Sequence, residues 1–172
     1  MTLLAIALSY IIGSISTAYI VVKAVKGIDI RTVGSGNAGA TNVKRVLGTG
    51  PAIIVLALDI VKGVLAVNIG RWAGGEVASL ACGVAVVVGH NWPLFFGLKG
   101  GKGSATSLGV ILTVSPMVTI LVLVIGVGTI AVTKYVSLGS IIVAPIYVIA
   151  MAITYQTVRH TIFALILAIM VL

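Results

Sequence analysis

The stretch VSLGSIIVAPIYVIAMAITY, residues 136–155, contains no charged side chain over twenty positions. A helix needs about 20 apolar residues, each rising roughly 1.5 Å, to cross the hydrocarbon core of a bilayer. The composition of the whole chain agrees, because 60% of its 172 residues are hydrophobic and only 8% are charged, against about a quarter charged in soluble domains. The sequence therefore excludes a water-soluble globule and predicts an all-α, polytopic helical membrane protein.

Three further stretches have the length and apolarity of a membrane span: residues 1–22, 52–70 and 77–96. The first lacks a basic leading segment and a small-residue cleavage pattern, so we interpret it as a retained helix and not as a signal peptide. Glycine is unusually frequent, at 21 residues, which is typical of helices that pack closely in a membrane. Four spans are thus clear from length and apolarity alone.

Residues 104–133 are too long for one span and contain Ser115-Pro116. Proline removes a backbone donor inside a helix and disrupts it. This predicts a short helix at 104–114 and a full one at 116–133. A single helix over the whole stretch is the alternative.

The final apolar run, residues 161–172, has twelve residues, and we expect it to be a truncated last span. Counting it gives about seven helices, one of them short, in a single integral-membrane domain, 1–172. If the N-terminus is outside, two arginines lie outside and eight basic residues lie in cytoplasmic loops, which fits the positive-inside rule. The cytoplasmic set is Lys23, Lys26, Arg31, Lys44, Arg45, Lys99, Lys102 and Lys134. A single helix over 104–133 leaves the same bias, so charge does not fix the second half of the topology.

The stretch GSGNAGATN, residues 34–42, is unusual for a loop between spans. Its glycines permit positive φ and close backbone approach, while its hydroxyl and amide side chains can bond a ligand. Such a backbone can direct N–H groups at an anion, and a nearby arginine offers a planar fork that suits phosphate. The candidate residues are Gly34, Ser35, Gly36, Asn37, Thr41, Asn42 and Arg45. The alternative is a flexible, solvated polar hairpin.

A second segment, GHNWPLFFGLKGGKGSAT, covers residues 89–106 and ends at a predicted helix start. Ammonium groups beside a glycine-rich backbone at a helix N-terminus suit a phosphate ligand. The candidate residues are Lys99, Gly100, Gly101, Lys102 and Gly103. Phe96 and Gly103 stand where a nucleotide P-loop needs glycine and a hydroxyl residue, so an ATPase is not indicated.

Three further polar residues have two interpretations each. His90 is either an interfacial histidine anchored beside Trp92 or a proton acceptor or phosphate ligand. Asp59 and Lys62 lie three residues apart within a span, where charges usually pair, so they form an internal salt bridge or contact substrate. With one cysteine, Cys82, and three carboxylates, the chain lacks the parts for covalent catalysis or metal hydrolysis. We expect no metal and no organic cofactor.

Together with GSISTAY at 13–19 and LDIVKG at 58–63, the two loop motifs resemble the bacterial acyl-phosphate:glycerol-3-phosphate acyltransferase family, PlsY. The resemblance covers nearly the whole chain. It implies a multi-pass enzyme of the bacterial inner membrane whose glycine-rich basic loops and active site face the cytoplasm. The enzyme would transfer a fatty acyl group from acyl phosphate to the 1-hydroxyl of glycerol 3-phosphate, giving lysophosphatidate and phosphate. Its partners would be these substrates and membrane lipid, with no nucleic acid.

Carried over to this sequence, the resemblance implies two sets of site residues. The catalytic set is Ser35, Asn37, Arg45, His90 and Lys102. The substrate-binding set is Gly34, Gly36, Thr41, Asn42, Lys99, Gly100, Gly101 and Gly103. Leu98 and Ser104 are mild departures from the family pattern, and the family's polar third motif is absent because the sequence ends at Leu172. We therefore expect a truncated enzyme.

Two other functions remain open from the residues alone. A transporter of organic phosphates would use the same basic loops as a vestibule, but it predicts polar pore-lining residues and an internal repeat, and neither is clear here. A non-catalytic lipid-binding scaffold would tolerate the loss of Lys102. Within the enzyme hypothesis, the proton acceptor is either His90 or the departing phosphate.

Overall fold

The computed structural model describes residues 1–172, and every regular element in it is helical. The all-α prediction is therefore confirmed. The eight α-helices are α1 (Thr2–Ser14), α2 (Thr17–Lys26), α3 (Ala40–Leu47), α4 (Thr49–Asn91), α5 (Ser104–Val114), α6 (Pro116–Thr133), α7 (Val136–Tyr155) and α8 (Val158–Val171). Two short 3-10 helices, Ile30–Thr32 and Leu94–Phe96, lie in the loops. Four stretches are long and apolar enough to cross a membrane: Thr2–Lys26, Thr49–Phe96, Pro116–Thr133 and Val136–Tyr155.

The longest element, α4, is a hairpin of two helical arms. Gly74 and Gly75 leave helical geometry, and Gly75 has φ +70°, a conformation that glycine adopts without strain. The arms then pack against each other so closely that a Cβ on Gly70 would overlap the backbone of Ala78. The predicted spans 52–70 and 77–96 correspond to these arms. The second arm ends at Asn91, before the predicted residue 96, because Trp92 precedes a proline and leaves the helix.

The first predicted span, 1–22, is not one continuous helix. It is interrupted at Ile15 and Ser16, which both have extended backbone angles, so that α1 ends at Ser14 and α2 begins at Thr17. The predicted break at Ser115-Pro116 is present, with Pro116 as the first residue of α6. Helix α7 has the predicted bounds, and α8 begins three residues before the predicted run 161–172.

Glycines allow the helices around α4 to approach one another closely. A Cβ on Gly13 or Gly89 would overlap backbone across the contact between α1 and α4. Gly63 and Gly109 have the same role between α4 and α5. The abundance of glycine thus reflects backbone contact between helices, as expected for membrane packing.

The two ends of the helix bundle differ in charge. One end carries Arg71 and Glu76, close to the turn of α4, and Arg159 at the start of α8. Arg159 Nη1 and Glu76 Oε2 form an ion pair there at 3.1 Å. The other end carries both glycine-rich loops and the eight basic residues assigned above to one side. The candidate site lies at this second, basic end.

Candidate active site

A cavity of about 180 Å³ opens at the basic end, between the two glycine-rich loops and the ends of α5, α7 and α8. Its polar wall residues are Asn37, Thr41, Asn42, Asp59, His90, Lys102, Ser104, Ser137 and Ser140. The N-termini of α3 and α5 also reach it, through Ala40 and Ala105. Because the first amide groups of a helix have no intrahelical partner, both ends offer free N–H donors and positive dipoles. The cavity is therefore suited to an anion.

Asn42 holds the first glycine-rich loop in shape. Its Oδ1 accepts from the backbone N–H of Ser35 at 2.9 Å, and its Nδ2 donates to the carbonyls of Ile30 and Val33 at 3.2 and 3.0 Å. Gly34 has φ +61°, and a Cβ there would overlap Asn42 Oδ1. The amide of Asn42 thus holds the loop backbone in position, while its predicted role toward substrate stays a prediction.

Arg31 ties the first loop to the second. Its guanidinium binds the carboxylate of Asp29 at 2.7 Å, lies 5.5 Å from the ring centre of Tyr19 and donates to the carbonyl of Phe96. The hydrogen bond from Arg31 lowers the pKa of Asp29, and Asp29 in turn raises the pKa of Arg31. The ion pair holds the guanidinium in place, and its hydrogen bond to Phe96 links the first loop to the second.

The second loop folds back on the end of α4. Gly101 N–H donates to the carbonyl of His90 and Gly100 N–H to that of Asn91, each at 3.1 Å. A side chain on Gly100 would overlap the carbonyl of His90, and one on Gly101 would overlap its Nε2. Gly103, with φ +74°, then starts α5. Gly100 and Gly101 leave no room for a side chain because the loop backbone lies directly on His90, whereas Gly103 lies against Asn91 and Val87.

A buried polar network lies at the base of the cavity. Lys62 Nζ contacts Asp59 Oδ1 at 3.0 Å and His90 Nδ1 at 2.7 Å. Thr17 Oγ1 donates to Asp59 Oδ1 at 2.8 Å, and the carbonyls of Gly13 and Ile15 accept from Lys62 at 3.2 and 3.3 Å. Both charges are therefore paired and hydrogen-bonded, as buried charges must be.

An apolar groove of about 510 Å³ joins the polar cavity. The two share wall residues, among them Thr41, Ser104 and Ser140. Of the 26 residues that line the groove, 18 are hydrophobic. Tyr147 and Leu167 at its inner end are buried, whereas Val127 on its outer wall is exposed. The groove is thus closed toward the interior and open toward the side of the bundle.

Comparison with known proteins gives a consistent result. The family described as glycerol-3-phosphate acyltransferase matches residues 3–172. A glycerol-3-phosphate acyltransferase of Thermoanaerobacter sp. is 53% identical over 161 residues, which cover 94% of this chain and 81% of that protein. The enzyme of the same name from Halalkalibacterium halodurans is 47% identical over 151 residues, which cover 86% of this chain and 73% of that protein.

The chain belongs to the glycerol-3-phosphate acyltransferase family.

Solved structures agree with this membership. The crystal structure of PlsY, an integral membrane glycerol 3-phosphate acyltransferase, in its glycerol 3-phosphate form has a TM-score of 0.93 at 36% identity, covering 99% of this chain and 86% of that chain. Its lysophosphatidic acid form has a TM-score of 0.90 at 35% identity, covering 99% of this chain and 85% of that chain. The predicted resemblance and the helical, multi-pass membrane fold are thereby confirmed. Membership in this acyltransferase family favours the enzyme over the transporter and the scaffold.

The structure places some of the predicted site residues of this acyltransferase on the cavity wall and others beside it. Those on the wall are Asn37, Thr41, Asn42, His90, Lys102 and Gly103. Those away from the wall are Gly34, Ser35, Gly36, Arg45, Lys99, Gly100 and Gly101. The glycines of the second group shape the loops, whereas Ser35, Arg45 and Lys99 are exposed at the same end. Their roles toward substrate stay predictions.

Other wall residues were not assigned to the site from sequence. Asp59 was assigned either to a salt bridge or to substrate, and the structure shows the salt bridge on the cavity wall. Ser137 and Ser140 lie one turn apart on α7 and reach the cavity together. The only sequence signal for them is their spacing of three residues at the start of an otherwise apolar span.

Proposed function

We propose that this glycerol-3-phosphate acyltransferase takes its acyl group from an acyl phosphate. The group is transferred to the 1-hydroxyl of glycerol 3-phosphate, and the products are lysophosphatidate and inorganic phosphate. The observation that carries the proposal is the shared wall between a basic polar cavity and an apolar groove. One substrate of this reaction is wholly polar and the other has a phosphate head and a fatty tail, so both environments must meet at the reacting carbon.

The polar cavity suits the phosphate groups of both substrates. Lys102 and the α5 N-terminus contribute positive charge and free N–H donors from one side. The N-terminus of α3 does so from the other, and Arg45 and Lys99 are exposed at the same end of the bundle. In support, the related PlsY is known in glycerol 3-phosphate and lysophosphatidic acid forms.

The apolar groove suits the fatty chain of the donor. From Val136 to Tyr147, its α7 wall rises about 16 Å, and an extended chain advances roughly 1.2 Å per bond. Thus a chain of about a dozen methylene groups would span the groove from the cavity to Tyr147. The side opening would admit a chain directly from the lipid phase.

The chemistry requires positioning more than activation, because the mixed anhydride of an acyl phosphate is already reactive. The glycerol 1-hydroxyl attacks the carbonyl carbon, a new ester bond forms and the bond to phosphate breaks. The hydroxyl proton passes to the departing phosphate or to His90. Asn37 Oδ1 is buried without a hydrogen-bond partner, so it is available to accept from the attacking hydroxyl. Lys102 compensates the charge of the phosphate that leaves.

The cellular setting belongs to the same proposal. The eight basic residues at the site end support a cytoplasm-facing active site under the positive-inside rule. We place the enzyme in the bacterial inner membrane, with residues 1–172 belonging to one integral-membrane acyltransferase domain. Glycerol 3-phosphate would then enter from the cytoplasm.

The test is phosphate release by purified protein given palmitoyl phosphate, with and without glycerol 3-phosphate. Release should require glycerol 3-phosphate. It should fall by roughly a hundredfold or more in Lys102→Ala, because the positive charge that stabilises the transition state is lost. Lys23→Ala is the matched control, because Lys23 is exposed at the same end but lies off the cavity wall. Equal losses in both variants, or acylation only from a donor other than acyl phosphate, would refute the proposal.

A further inference from the structure

We propose that Lys62 is a positioning residue that fixes the tautomer of His90, so that His90 presents Nε2–H toward the substrate loop. Lys62 makes as many hydrogen bonds as its ammonium group allows. A lysine ammonium has three donors and no acceptor. Four acceptors surround Lys62 Nζ: His90 Nδ1 at 2.7 Å, Asp59 Oδ1 at 3.0 Å, and the carbonyls of Gly13 and Ile15 at 3.2 and 3.3 Å. Lys62 therefore has no donor left for a substrate.

The shortest of these contacts determines where the imidazole carries its hydrogen. Asp59 Oδ1 also faces His90 Nδ1, but at 3.6 Å it is beyond hydrogen-bond distance. Since the ammonium can only donate, His90 Nδ1 accepts from Lys62 and carries no hydrogen itself. A neutral imidazole with an accepting Nδ1 has its hydrogen on Nε2. Hydrogen bonds from a second residue commonly select a histidine tautomer in this way.

The rest of the network holds Lys62 in place for this role. Asp59 compensates its charge and is itself held by Thr17 Oγ1 at 2.8 Å. The interruption between α1 and α2 leaves the carbonyls of Gly13 and Ile15 free to accept from Lys62. Both charged side chains are almost fully buried, at 6% exposure for Lys62 and 1% for Asp59. The ammonium consequently has one stable position.

The other nitrogen of His90 faces the site. Nε2 makes no hydrogen bond to the protein and lies against Gly101, where an added Cβ would overlap it. His90 also lines the polar cavity. With its hydrogen on Nε2, His90 donates a hydrogen bond to an oxygen of bound substrate. The imidazole in this tautomer cannot accept the hydroxyl proton at Nε2, which leaves the departing phosphate as the acceptor.

The tautomer can be measured without any substrate, by ¹⁵N NMR of histidine-labelled protein in detergent. His90→Gln identifies the His90 signals. The native protein should show one protonated nitrogen, Nε2, and an accepting Nδ1. A hydrogen on Nδ1 in the native protein would overturn the proposal.

A paired variant tests whether Lys62 is the cause. Asp59→Leu with Lys62→Met removes both charges together, so neither is left buried alone, and such replacement of a buried pair is commonly tolerated. We expect the His90 signals to average between two tautomers. Glu76→Gln with Arg159→Gln is the control, because it removes an ion pair at the opposite end and should leave the His90 spectrum unchanged. An unchanged spectrum in the Asp59/Lys62 variant would contradict the proposal.

Kinetics separate a role through His90 from a general structural one. The paired variant should lower kcat by roughly tenfold or more with little change in KM for glycerol 3-phosphate. In a His90→Gln background the same pair should change kcat by less than about threefold, because the group it positions is already gone. Equal losses in both backgrounds would show that the pair only supports the fold. This kinetic consequence rests on the proposed function, whereas the native spectrum does not, so failure of one is distinguishable from failure of the other.

Discussion

Arg31 donates to the backbone carbonyl of Phe96, and this bond joins two glycine-rich loops whose residues are 65 positions apart in sequence. The same guanidinium binds Asp29 and lies over the ring of Tyr19. The planar guanidinium thus contacts the Tyr19 ring, the Asp29 carboxylate and the Phe96 carbonyl through different parts of one group. A lysine ammonium cannot reproduce these three contacts together. The spacing of the loops around the cavity therefore depends on Arg31 together with the backbone hydrogen bond from Ala38 N–H to the carbonyl of Gly100 at 3.4 Å.

Replacing Arg31 should widen that cavity. We expect Arg31→Lys to raise KM for glycerol 3-phosphate by roughly tenfold, because the charge is kept but the bond to Phe96 and the planar contact with Tyr19 are lost. Steady-state kinetics of phosphate release measure the effect. Lys26→Arg, at an exposed lysine of the same end, is the control, and a similar change in KM there would contradict this role of Arg31.

The Asp29–Arg31 pair should be insensitive to pH over the working range. Arg31 lowers the pKa of Asp29 and its own pKa is raised, so both groups stay charged at neutral pH. The stabilisation is fully present above the ordinary aspartate pKa, about 3.9, and is lost only as the pH falls through the lowered value. Amide hydrogen exchange of residues 29–33, corrected for intrinsic rates, should show constant protection between about pH 5 and 8. Protection that disappears within that interval would show that the pair does not order the loop.

Asn42→Ala should destabilise the first loop, because it leaves the N–H of Ser35 and the carbonyls of Ile30 and Val33 without their partner. We expect a cost of about 2–4 kcal/mol, from roughly 1–3 kcal/mol for each unsatisfied buried group with partial rescue by water. Thermal unfolding in detergent and KM for glycerol 3-phosphate measure it. Asn68→Ala is the control, since Asn68 bonds only the carbonyl of Val64 in its own helix. Equal effects at the two asparagines would argue against a loop-specific role.

Gly101→Ala should impair catalysis severely without unfolding the protein. Its Cβ would overlap His90 Nε2 and lie 3.1 Å from the carbonyl of Ala38, so loop and imidazole must separate. We expect kcat/KM to fall by about a hundredfold, the usual cost of displacing one catalytic group. Gly50→Ala is the control, because nothing lies within 4 Å of a Cβ there. Near-native activity of Gly101→Ala would mean that the contact with His90 is not needed.

Ala144→Phe should shift donor preference toward shorter acyl chains. Ala144 lines the inner part of the apolar groove and is 4% exposed, so a larger side chain fills space that the end of a long chain would occupy. The ratio of kcat/KM for palmitoyl phosphate to that for octanoyl phosphate should fall by roughly tenfold or more. Val132→Phe, which places the same ring at an 84% exposed position off the groove, should leave the ratio unchanged. A parallel fall in both variants would indicate a general effect of bulk.

The fold could be predicted largely from local signals. Apolar length determined α7, and Pro116 determined the division between α5 and α6. The division between α1 and α2 was not predictable, because no proline or glycine stands at Ile15 or Ser16. Its cause is tertiary, since the free carbonyls at that point accept from Lys62.

The part of the candidate site that comes from short sequence motifs was predictable. Asn37, His90 and Lys102 belong to the two glycine-rich segments and all reach the cavity. The predicted role of Asn42 toward substrate stays a prediction. Its bonds to the loop backbone were not predictable, because they depend on the folded loop. Ser137 and Ser140 reach the cavity only because α6 brings the chain back to the basic end, where α7 begins; no local pattern specifies this.

The wall shared by the polar cavity and the apolar groove affects how substrates enter and products leave. For an enzyme that joins a water-soluble acceptor to a fatty donor, this arrangement provides two separate openings. The polar cavity opens toward the aqueous phase, and the apolar groove opens toward the lipid phase. Under the proposed function, the lipid product formed at the junction can diffuse sideways into the surrounding leaflet while phosphate departs into water. The two products then leave by different routes, and neither has to pass the other.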